Sequence, residues 1–361
     1  MNPLIILVNL LKPLLYPLSL IYGVIVWLRN KLYDAGIISS VGFSVPVISV
    51  GNLSTGGTGK TPHIEYLIRL LQYEYKIATM SRGYKRRTQG FRLASAGTDA
   101  SLIGDEPMQF FTKFPEILVS VCEDRMTGIP RLLGERPDID VILLDDAYQH
   151  RSVKPGLNIL ITDYNKPFFK DYILPFGSLR EARKAYQRAD IIIVSKCPER
   201  IDDQQKATIR SSIKPLPHQL VFFTGISYSQ PYDFFTGKPV SLSKDMHAVL
   251  VSGIAKPEPL MARLEKETGA VHLLRYPDHH YFTSANLEEI RQTFTGWDVA
   301  NKIIATTEKD ATRLAIYSDA IRSWGILLVV VPVQVHFLEN GSAFADCVLQ
   351  YINRERSENL A

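Results

Sequence analysis

The sequence predicts an α/β fold: a mostly parallel sheet with helices on both faces, followed by a second, smaller α/β domain. Short apolar runs alternate along the chain with segments of helical periodicity, which is typical of parallel strands joined by crossover helices. The chain has 361 residues, of which 46% are hydrophobic and 22% are charged. That length and balance indicate a folded protein with a large core and two domains rather than a disordered chain.

Charge and cysteine content narrow the class of protein. Lysine and arginine outnumber aspartate and glutamate by 41 to 37, and a net charge of +4 is too mild to indicate a nucleic-acid-binding protein. Cys122, Cys197 and Cys347 are far apart and form no CxxC pair, so neither a disulfide framework nor a structural zinc site is indicated. We therefore expect a reducing, cytosolic compartment.

The first 28 residues are almost entirely apolar, with one charged side chain, that of Lys12. Without a basic start or a small-residue cleavage site, a cleaved signal peptide is not expected. As a helix, residues 13–28 extend about 24 Å, which is short against a hydrocarbon core of about 30 Å. We predict a membrane-associated helix over residues 1–30, either spanning or lying in the interface, with a buried core helix as the alternative. Its interfacial anchors are Tyr16, Tyr22, Trp27, Arg29 and Lys31.

The order of apolar runs predicts the remaining organisation. Residues 225–243 are rich in Pro, Gly, Ser and Tyr and break the alternation, so we predict a first domain over 31–224, a linker over 225–243 and a smaller domain over 244–361. A helix face at 64, 67, 68 and 71 follows the first strand. The predicted strands are Val45–Val50, Ile77–Met80, Ile117–Val121, Val141–Leu144, Leu157–Thr162, Ile191–Val194, Ala248–Val251, Val271–Leu274, Ile303–Ala305 and Leu327–Val331.

The most specific local signal is a glycine-rich turn between a strand and an amphipathic helix, VGNLSTGGTGKTP. Its glycines let backbone N–H groups approach phosphate oxygens, Lys60 reaches the terminal phosphates, and Thr61 can ligate Mg²⁺. Ser54 departs from the usual pattern, which has glycine there. A P-loop NTPase-like domain is predicted, with a chance glycine-rich turn as the alternative. The predicted nucleotide-binding residues are Ser54, Thr55, Gly56, Gly57, Thr58, Gly59, Lys60 and Thr61.

A phosphate loop needs a carboxylate to hold the metal ion. The segment VILLDDAYQH ends an apolar run with Asp145 and Asp146, which resembles a Walker B strand, although adjacent acidic residues can also form a solvated loop. Guanine-binding proteins carry N-K-x-D after a later strand, whereas residues 195–198 read SKCP and lack the aspartate. ATP is therefore favoured over GTP.

Other polar groups lie where ligands bind in open α/β sheets, near strand ends. GDEP and CEDR place carboxylates and Arg125 there, with helix capping or surface charge as alternatives. LPFGSLREARK and SRGYKRR gather basic residues that could hold anionic groups or form solvated faces. In the second domain, YPDHHY is a poor zinc site but could supply an imidazole or carboxylate that removes a hydroxyl proton. TTEKDATRL could be a polar cap or a second ligand contact.

Together these motifs resemble the tetraacyldisaccharide 4′-kinases of lipid A biosynthesis. The resemblance covers most of the chain and rests, in order, on VGNLSTGGTGKTP, SRGY, GDEP, DR, DDAYQH, LPFGSLRE, PDHHYF and TTEKDA. It implies a P-loop kinase that transfers the γ-phosphoryl group of ATP, with Mg²⁺, to the 4′-hydroxyl of a tetraacylated disaccharide 1-phosphate. It also implies peripheral or monotopic attachment to the cytoplasmic face of the inner membrane of a Gram-negative bacterium. Neither a nucleic acid nor a protein partner is expected.

The resemblance also implies roles for single residues. The first domain would be the kinase domain, and the smaller domain would contribute to the active site. DDAYQH departs from the family at Ala147, where glycine is more common. The implied catalytic residues are Asp105, His279, Asp278 and Lys60, the implied metal ligands are Thr61, Asp145, Asp146 and Glu181, and the implied substrate contacts are Glu106, Arg125 and Arg180.

One alternative belongs to a different class. Nucleotide-switch proteins, such as partition ATPases or metal-insertion GTPases, also use GGxGK[ST] loops. Their usual additional lysine before the double glycine is absent, because that position is Thr55. A switch protein would hydrolyse nucleotide without consuming a lipid acceptor.

Overall fold

The computed structural model describes residues 12–360, which form two sheets with helices packed on their faces. Residues 1–11 of the predicted N-terminal helix lie outside this range. The strands are β1 (Val47–Gly51), β2 (Ile77–Ser81), β3 (Arg92–Leu93), β4 (Leu118–Val121), β5 (Val141–Asp145), β6 (Leu157–Asp163), β7 (Ile191–Ser195), β8 (Leu220–Tyr228), β9 (Tyr232–Asp233), β10 (His247–Ser252), β11 (Ala270–Arg275), β12 (Lys302–Thr307), β13 (Leu328–Val331) and β14 (Val333–Phe337).

The helices connect the strands in the alternating order that the sequence predicts. Lys60–Leu71 packs the predicted apolar face, Ile64, Leu67, Ile68 and Leu71, into the core. The helices are α1 (Tyr16–Asp34), α2 (Lys60–Leu71), α3 (Ala100–Ile103), α4 (Asp105–Lys113), α5 (Arg125–Glu135), α6 (Asp203–Ile213), α7 (Glu258–Glu267), α8 (Ser284–Thr295), α9 (Glu308–Leu314), α10 (Ser318–Ser323) and α11 (Gly341–Leu360).

The larger sheet has nine strands in the order β14-β8-β7-β6-β1-β5-β2-β4-β3. Its seven central strands are parallel, and an antiparallel strand lies at each edge. The smaller sheet has the order β11-β10-β12-β13-β9, with β9 alone antiparallel. Each predicted strand is present, and the predicted α/β class with mostly parallel sheets is confirmed.

The C-terminal part of the chain returns to the larger sheet. β13 belongs to the smaller sheet, but β14, the next strand, pairs with β8 of the larger sheet. Helix α11 then packs four side chains into the core of the larger sheet, those of Phe344, Val348, Tyr351 and Ile352. Tyr351 also exchanges hydrogen bonds with the backbone of β1. The predicted domain boundaries stay a prediction, and this return adds residues 333–360 to the structure around the larger sheet.

The two sheets meet through α4 of the first and α9 of the second. Three ion pairs join the helices: Arg313 to Asp105 at 2.6 Å, Lys309 to Glu106 at 2.8 Å, and Lys113 to Glu308 at 2.5 Å. The carboxylates of Asp105 and Glu308 are buried, so their partners offset a large desolvation cost. In two of these pairs the acidic residue is on α4 and the basic residue on α9, and in the third, Lys113 with Glu308, the order is reversed.

Candidate active site

The phosphate loop leaves β1 after Gly51 and enters α2 at Lys60. Gly56 and Gly59 have φ angles of 106° and 90°, a region that L side chains rarely adopt. Residues 55–57 are exposed. A loop of this conformation at a helix N-terminus can present backbone N–H groups to phosphate.

Residues at the end of β7 brace this loop. Ser195 Oγ donates to the carbonyl oxygen of Thr58 over 2.6 Å, and Lys196 Nζ donates to the carbonyl oxygen of Gly57. Lys196 also forms an ion pair with Asp163 at 2.9 Å. Ser195 and Lys196, which lie where guanine-binding proteins carry N-K-x-D, therefore support the phosphate loop in this chain.

Two cations meet Asp146 beside the loop. Lys60 Nζ lies 3.5 Å from Asp146 Oδ1, and Arg180 Nη1 lies 3.1 Å from the same oxygen. Burial raises the pKa of Asp146, but the charges of Lys60 and Arg180 outweigh it and hold the pKa below its ordinary value. The structure thus brings together Lys60, Asp146 and Arg180, which the sequence places in three separate motifs.

Asp145 is the last residue of β5, and its carboxyl group is buried. Oδ2 lies 3.5 Å from Ser81 Oγ, and Oδ1 has no hydrogen-bond partner among the described residues. Burial, followed by the charge of Asp146, raises the pKa of Asp145 to about 7. A buried carboxylate oxygen without a partner, close enough to Lys60 for that charge to act on the Asp145 pKa, fits a hard cation such as Mg²⁺. Asp145 and Thr61 are the residues that would hold it.

The raised pKa of Asp145 predicts a pH effect on stability in metal-free protein. The unfolded chain releases this proton near its ordinary pKa of 3.8, whereas the folded protein retains it up to about pH 7. The contribution of Asp145 to the free energy of unfolding is therefore complete below pH 4 and is lost as pH rises through 7. The free energy of unfolding is measured with urea in EDTA at pH 5 and at pH 8. Between these two pH values it should fall by on the order of 2 kcal/mol less in Asp145→Asn than in the wild type.

A matched variant makes that measurement specific. Asp319 is exposed on α10, so Asp319→Asn should leave the pH dependence of the wild type unchanged. An identical pH dependence in Asp145→Asn and the wild type would mean that Asp145 is ionised in the folded, metal-free protein.

Arg125 lies beneath the end of β5 and is fully buried. Its guanidinium donates to the carbonyl oxygen of Asp145 over 3.1 Å and contacts His150 Nε2 at 3.1 Å. Burial and the charge of Arg125 lower the pKa of His150 to about 4, so His150 is neutral and can accept that hydrogen bond. In this structure Arg125 supports the Asp145-Asp146 turn, and its predicted contact with substrate stays a prediction.

Glu181 is buried and already has partners. Its carboxylate pairs with Arg188 at 3.0 Å and accepts a hydrogen bond from Asn30 Nδ2 over 2.7 Å. Among the described residues no hydrogen bond or ion pair links it to Asp145 or Asp146. Its predicted role as a metal ligand therefore stays a prediction.

The second half of the site is built around Asp105, the first residue of α4. Asp105 Oδ2 accepts from Arg313 over 2.6 Å and contacts His279 Nδ1 at 2.9 Å. Burial raises the pKa of Asp105, but the hydrogen bonds from His279 and Arg313 outweigh it, and the pKa lies below its ordinary value. Asp105 is therefore ionised at neutral pH. No described residue donates a hydrogen bond to Oδ1, which leaves that oxygen able to accept a proton.

Lys309 and Glu106 complete this half of the site. Lys309 Nζ lies 3.0 Å from His279 Nε2 and 2.8 Å from Glu106 Oε1. Asp278 is at the margin, because its carboxylate lies 4.0 Å from His279 Nε2 and its side chain is 45% exposed. The structure therefore brings Asp105, Glu106 and His279 together and leaves Asp278 at the rim.

Helix α1 is fastened to the segment that carries Arg180 and Glu181. Tyr22 Oη donates to the carbonyl oxygen of Arg180 over 3.1 Å, and Asn30 binds Glu181. Ser19 Oγ accepts from the backbone N–H of Phe176 over 2.8 Å. Side-chain hydrogen bonds thus hold the inner face of the helix to residues 176–181, the segment that includes Arg180, the partner of Asp146.

The chain is similar to proteins of one known family. The profile of the family described as tetraacyldisaccharide-1-P 4′-kinase (LpxK) matches residues 11–353. The chain belongs to this family. The match extends from the apolar helix through both sheets and into α11, so it includes every predicted site residue of the tetraacyldisaccharide 4′-kinase pattern.

Individual members of the tetraacyldisaccharide 4′-kinase family align along nearly the whole chain. The protein of that name from Phocaeicola vulgatus is 44% identical over 352 residues, 96% of each chain. The one from Flavobacterium johnsoniae is 44% identical over 356 residues, 98% of this chain and 99% of its own. The solved structure of LpxK from Aquifex aeolicus in complex with ATP is 26% identical, with a TM-score of 0.73, and covers 95% of this chain and 99% of that one.

Two residues of this LpxK-family site were not assigned by sequence reasoning. Lys309 and Arg313 lie in the TTEKDATRL segment, whose position after a predicted strand marked it as polar without indicating its partners. The signal that could have found them is the spacing of four residues, which places both side chains on one face of α9. Their partners, His279 and Asp105, are distant in the sequence.

Proposed function

We propose that this chain transfers the γ-phosphoryl group of ATP to the 4′-hydroxyl of a tetraacylated glucosamine disaccharide 1-phosphate, in lipid A biosynthesis. The observation that carries the proposal is the pairing of a phosphate loop with an ionised carboxylate at the junction of the two sheets. Burial and the charge of Asp146 raise the pKa of Asp145, and the charge of Glu106, the neighbour of Asp105, adds to that rise. The two halves of the site are therefore close enough to interact.

The half of the site built around Asp105, Glu106, His279, Lys309 and Arg313, the acceptor half, supplies the base. His279 and Arg313 both contact Oδ2 of Asp105, which fixes the carboxylate and leaves Oδ1 as the oxygen that would receive the acceptor's proton. The hydroxyl oxygen of the sugar attacks the γ-phosphorus while its proton passes to Oδ1, and the bond from that phosphorus to the β,γ-bridging oxygen breaks. ADP leaves with the electron pair of that bond, and Asp105 later returns its proton to solvent. Proton removal of this kind accelerates a reaction by about 10²–10⁴-fold.

The phosphate loop with Asp145, Asp146 and Arg180, the donor half of the site, positions the phosphates. The loop N–H groups and Lys60 bind the β- and γ-phosphates, and Arg180 adds a second positive group next to Asp146. Phosphoryl transfer depends mainly on such positioning and on neutralising charge. When bound, Mg²⁺ would neutralise charge on the phosphate oxygens. The unpartnered Oδ1 of Asp145 supports this assignment.

A direct assay tests the proposed transfer. The protein is incubated in detergent with γ-³²P-ATP, Mg²⁺ and tetraacylated disaccharide 1-phosphate, and the lipids are separated by thin-layer chromatography. We expect a labelled lipid, and no labelled lipid from an acceptor whose 4′-hydroxyl is already phosphorylated. Label that leaves ATP only as free phosphate would overturn the proposal and favour the nucleotide-switch class.

We also propose that α1 attaches the protein peripherally to the cytoplasmic face of the inner membrane. Among residues 12–360 no helix is both long and apolar enough to cross a bilayer. The outer face of α1 is nonetheless apolar, with side chains that are 51–62% exposed. An exposed apolar surface of this width is typical of a helix that lies in a membrane interface. Its members are Leu18, Leu20, Ile21, Val24, Ile25, Trp27 and Leu28.

A charge on that face should weaken membrane binding. Ile25 is 62% exposed, so Ile25→Glu leaves the folded protein intact but brings a carboxylate into the apolar boundary. An isoleucine side chain that moves from water into the membrane gains about 2 kcal/mol, and the variant loses that gain. We therefore expect partition into phosphatidylethanolamine and phosphatidylglycerol vesicles to fall about tenfold or more. Vesicle sedimentation measures this change.

The same substitution elsewhere provides the control. Ile316 is 47% exposed and lies far from α1 in the sequence, so Ile316→Glu should sediment with vesicles like the wild type. Equal loss of sedimentation in both variants, or in neither, would count against attachment through α1.

A further inference from the structure

A lysine occupies the centre of the acceptor half of the site. Asp105, Glu106 and His279 offer ligand atoms that lie within 4.8 Å of one another, a spacing that could hold a metal ion. Lys309 Nζ lies 2.8 Å from Glu106 Oε1 and 3.0 Å from His279 Nε2. The protein thus places its own cation against two of the three possible ligands.

The contact with Lys309 also determines the tautomer of His279. An ammonium group has only hydrogen-bond donors, so His279 Nε2 must accept the bond from Lys309. The ring proton then lies on Nδ1 and is donated to Asp105 Oδ2 over 2.9 Å. The opposite tautomer would place a lone pair against the Asp105 carboxylate and an N–H against the ammonium group, and both contacts would be unfavourable.

The position of Lys309 is itself fixed. Thr307 caps the N-terminus of α9 by accepting a hydrogen bond from the backbone N–H of Asp310. Arg313, one turn further on, is fully buried between Asp310 and Asp105, at 3.0 and 2.6 Å. Glu308 pairs with Lys113 of α4. The residues on both sides of Lys309 therefore tie α9 to α4, and the Lys309 ammonium group reaches Glu106 and His279.

We propose that Lys309 is a positioning residue of the acceptor site. Its ammonium group holds His279 in the Nδ1–H tautomer and takes the place in which Asp105, Glu106 and His279 would otherwise bind a divalent metal ion. The inference rests on the proposed kinase function, since it assigns Asp105 as the base that must stay free of metal. It confines the divalent cation to the phosphate-loop half of the site.

Three variants test this role. Lys309→Met removes the charge while keeping a long unbranched side chain, and Lys309→Arg keeps both the charge and the donors. Lys266→Met on the exposed side of α7 is the matched control. Thermal melts of each variant establish that the fold is retained before the other readouts are compared.

The first readouts need no enzymatic activity. In protein labelled with ¹⁵N-histidine, the wild type and Lys309→Arg should show the Nδ1–H tautomer for His279, assigned with His279→Gln, whereas Lys309→Met should show a changed tautomer population. Titration calorimetry with Zn²⁺ should show binding to Lys309→Met at least tenfold tighter than to the wild type. A second substitution, Glu106→Gln, should abolish that gain.

Kinetics give an independent readout. Lys309→Met should lower kcat for lipid phosphorylation about 10- to 100-fold with little change in KM for ATP, and Lys309→Arg should restore most of kcat. Unchanged ¹⁵N shifts together with unchanged Zn²⁺ affinity in Lys309→Met would overturn the proposal. If both change while the wild type phosphorylates no lipid, the proposed function fails and the role of Lys309 in holding His279 stands.

Discussion

Asp105→Asn is expected to lower kcat for lipid phosphorylation by about 10²–10⁴-fold, with little change in KM for ATP. The amide has nearly the same shape but cannot take up the hydroxyl proton at the position of Oδ1. The acceptor would then have to lose its proton to water during the attack. The measurement is the steady-state rate of labelled lipid formation at varied ATP and at saturating acceptor.

The expected result is specific because the chain offers a matched carboxylate. Asp278 is next to His279 but 45% exposed, and it lies 4.0 Å from the imidazole. Asp278→Asn should therefore lower kcat by less than tenfold. A change confined to KM for ATP in Asp105→Asn would move Asp105 from the base to nucleotide binding.

The fold of Asp105→Asn also needs a check, since Asp105 pairs with a buried arginine. Arg313 keeps a second partner, Asp310 at 3.0 Å, so its charge is not left unpaired. We expect a lower melting temperature but a cooperative transition. Activity that is lost only above that melting temperature would indicate a structural effect.

Lys60→Ala is expected to reduce lipid phosphorylation about 10³-fold or more, while the protein remains folded. Lys60 is the cation of the phosphate loop, and charge neutralisation at the γ-phosphate supplies much of the rate in phosphoryl transfer. In the free protein its removal leaves Asp146 paired with Arg180, at 3.1 Å. The folded state therefore loses one partly exposed ion pair and little else.

Transfer and nucleotide binding should be measured together for this variant. Lys154 is an exposed lysine of the same domain, and Lys154→Ala should match the wild type in both assays. Near-wild-type transfer by Lys60→Ala would remove the phosphate loop from the mechanism. Loss of transfer with retained ATP binding would assign Lys60 mainly to the transition state.

The donor half of the site could be predicted from sequence because its chemistry is local. The phosphate loop needs glycine at Gly56 and Gly59, where φ is positive, and Lys60 follows at a fixed spacing. Asp145 ends an apolar run, and parallel pairing of β1 with β5 puts that end beside the loop. The glycine-rich turn with Lys60 and the apolar run that ends at Asp145 are each one short, continuous segment, so a pattern can detect them.

The acceptor half could be predicted only in part. The motifs shared with the kinase family indicate Asp105 and His279 as site residues. The contact between these two residues, however, spans 174 residues of sequence, and the contact between Asp105 and Arg313 spans 208. No local periodicity encodes such a distance. Asn30 of α1, which donates a hydrogen bond to Glu181 across 151 residues of sequence, is likewise visible only in the folded structure.

The sequence by itself determined the α/β class, the strand order along the chain, the phosphate loop and the apolar character of the N-terminal helix. These follow from hydrophobic period, glycine geometry and composition, which act over short stretches. Only the tertiary structure decided that β14 and α11 return to the larger sheet and that Lys309 and Arg313 meet the acceptor site. The physical reason is that packing and ion pairing depend on which surfaces the folded chain brings together, and separation along the sequence does not limit them.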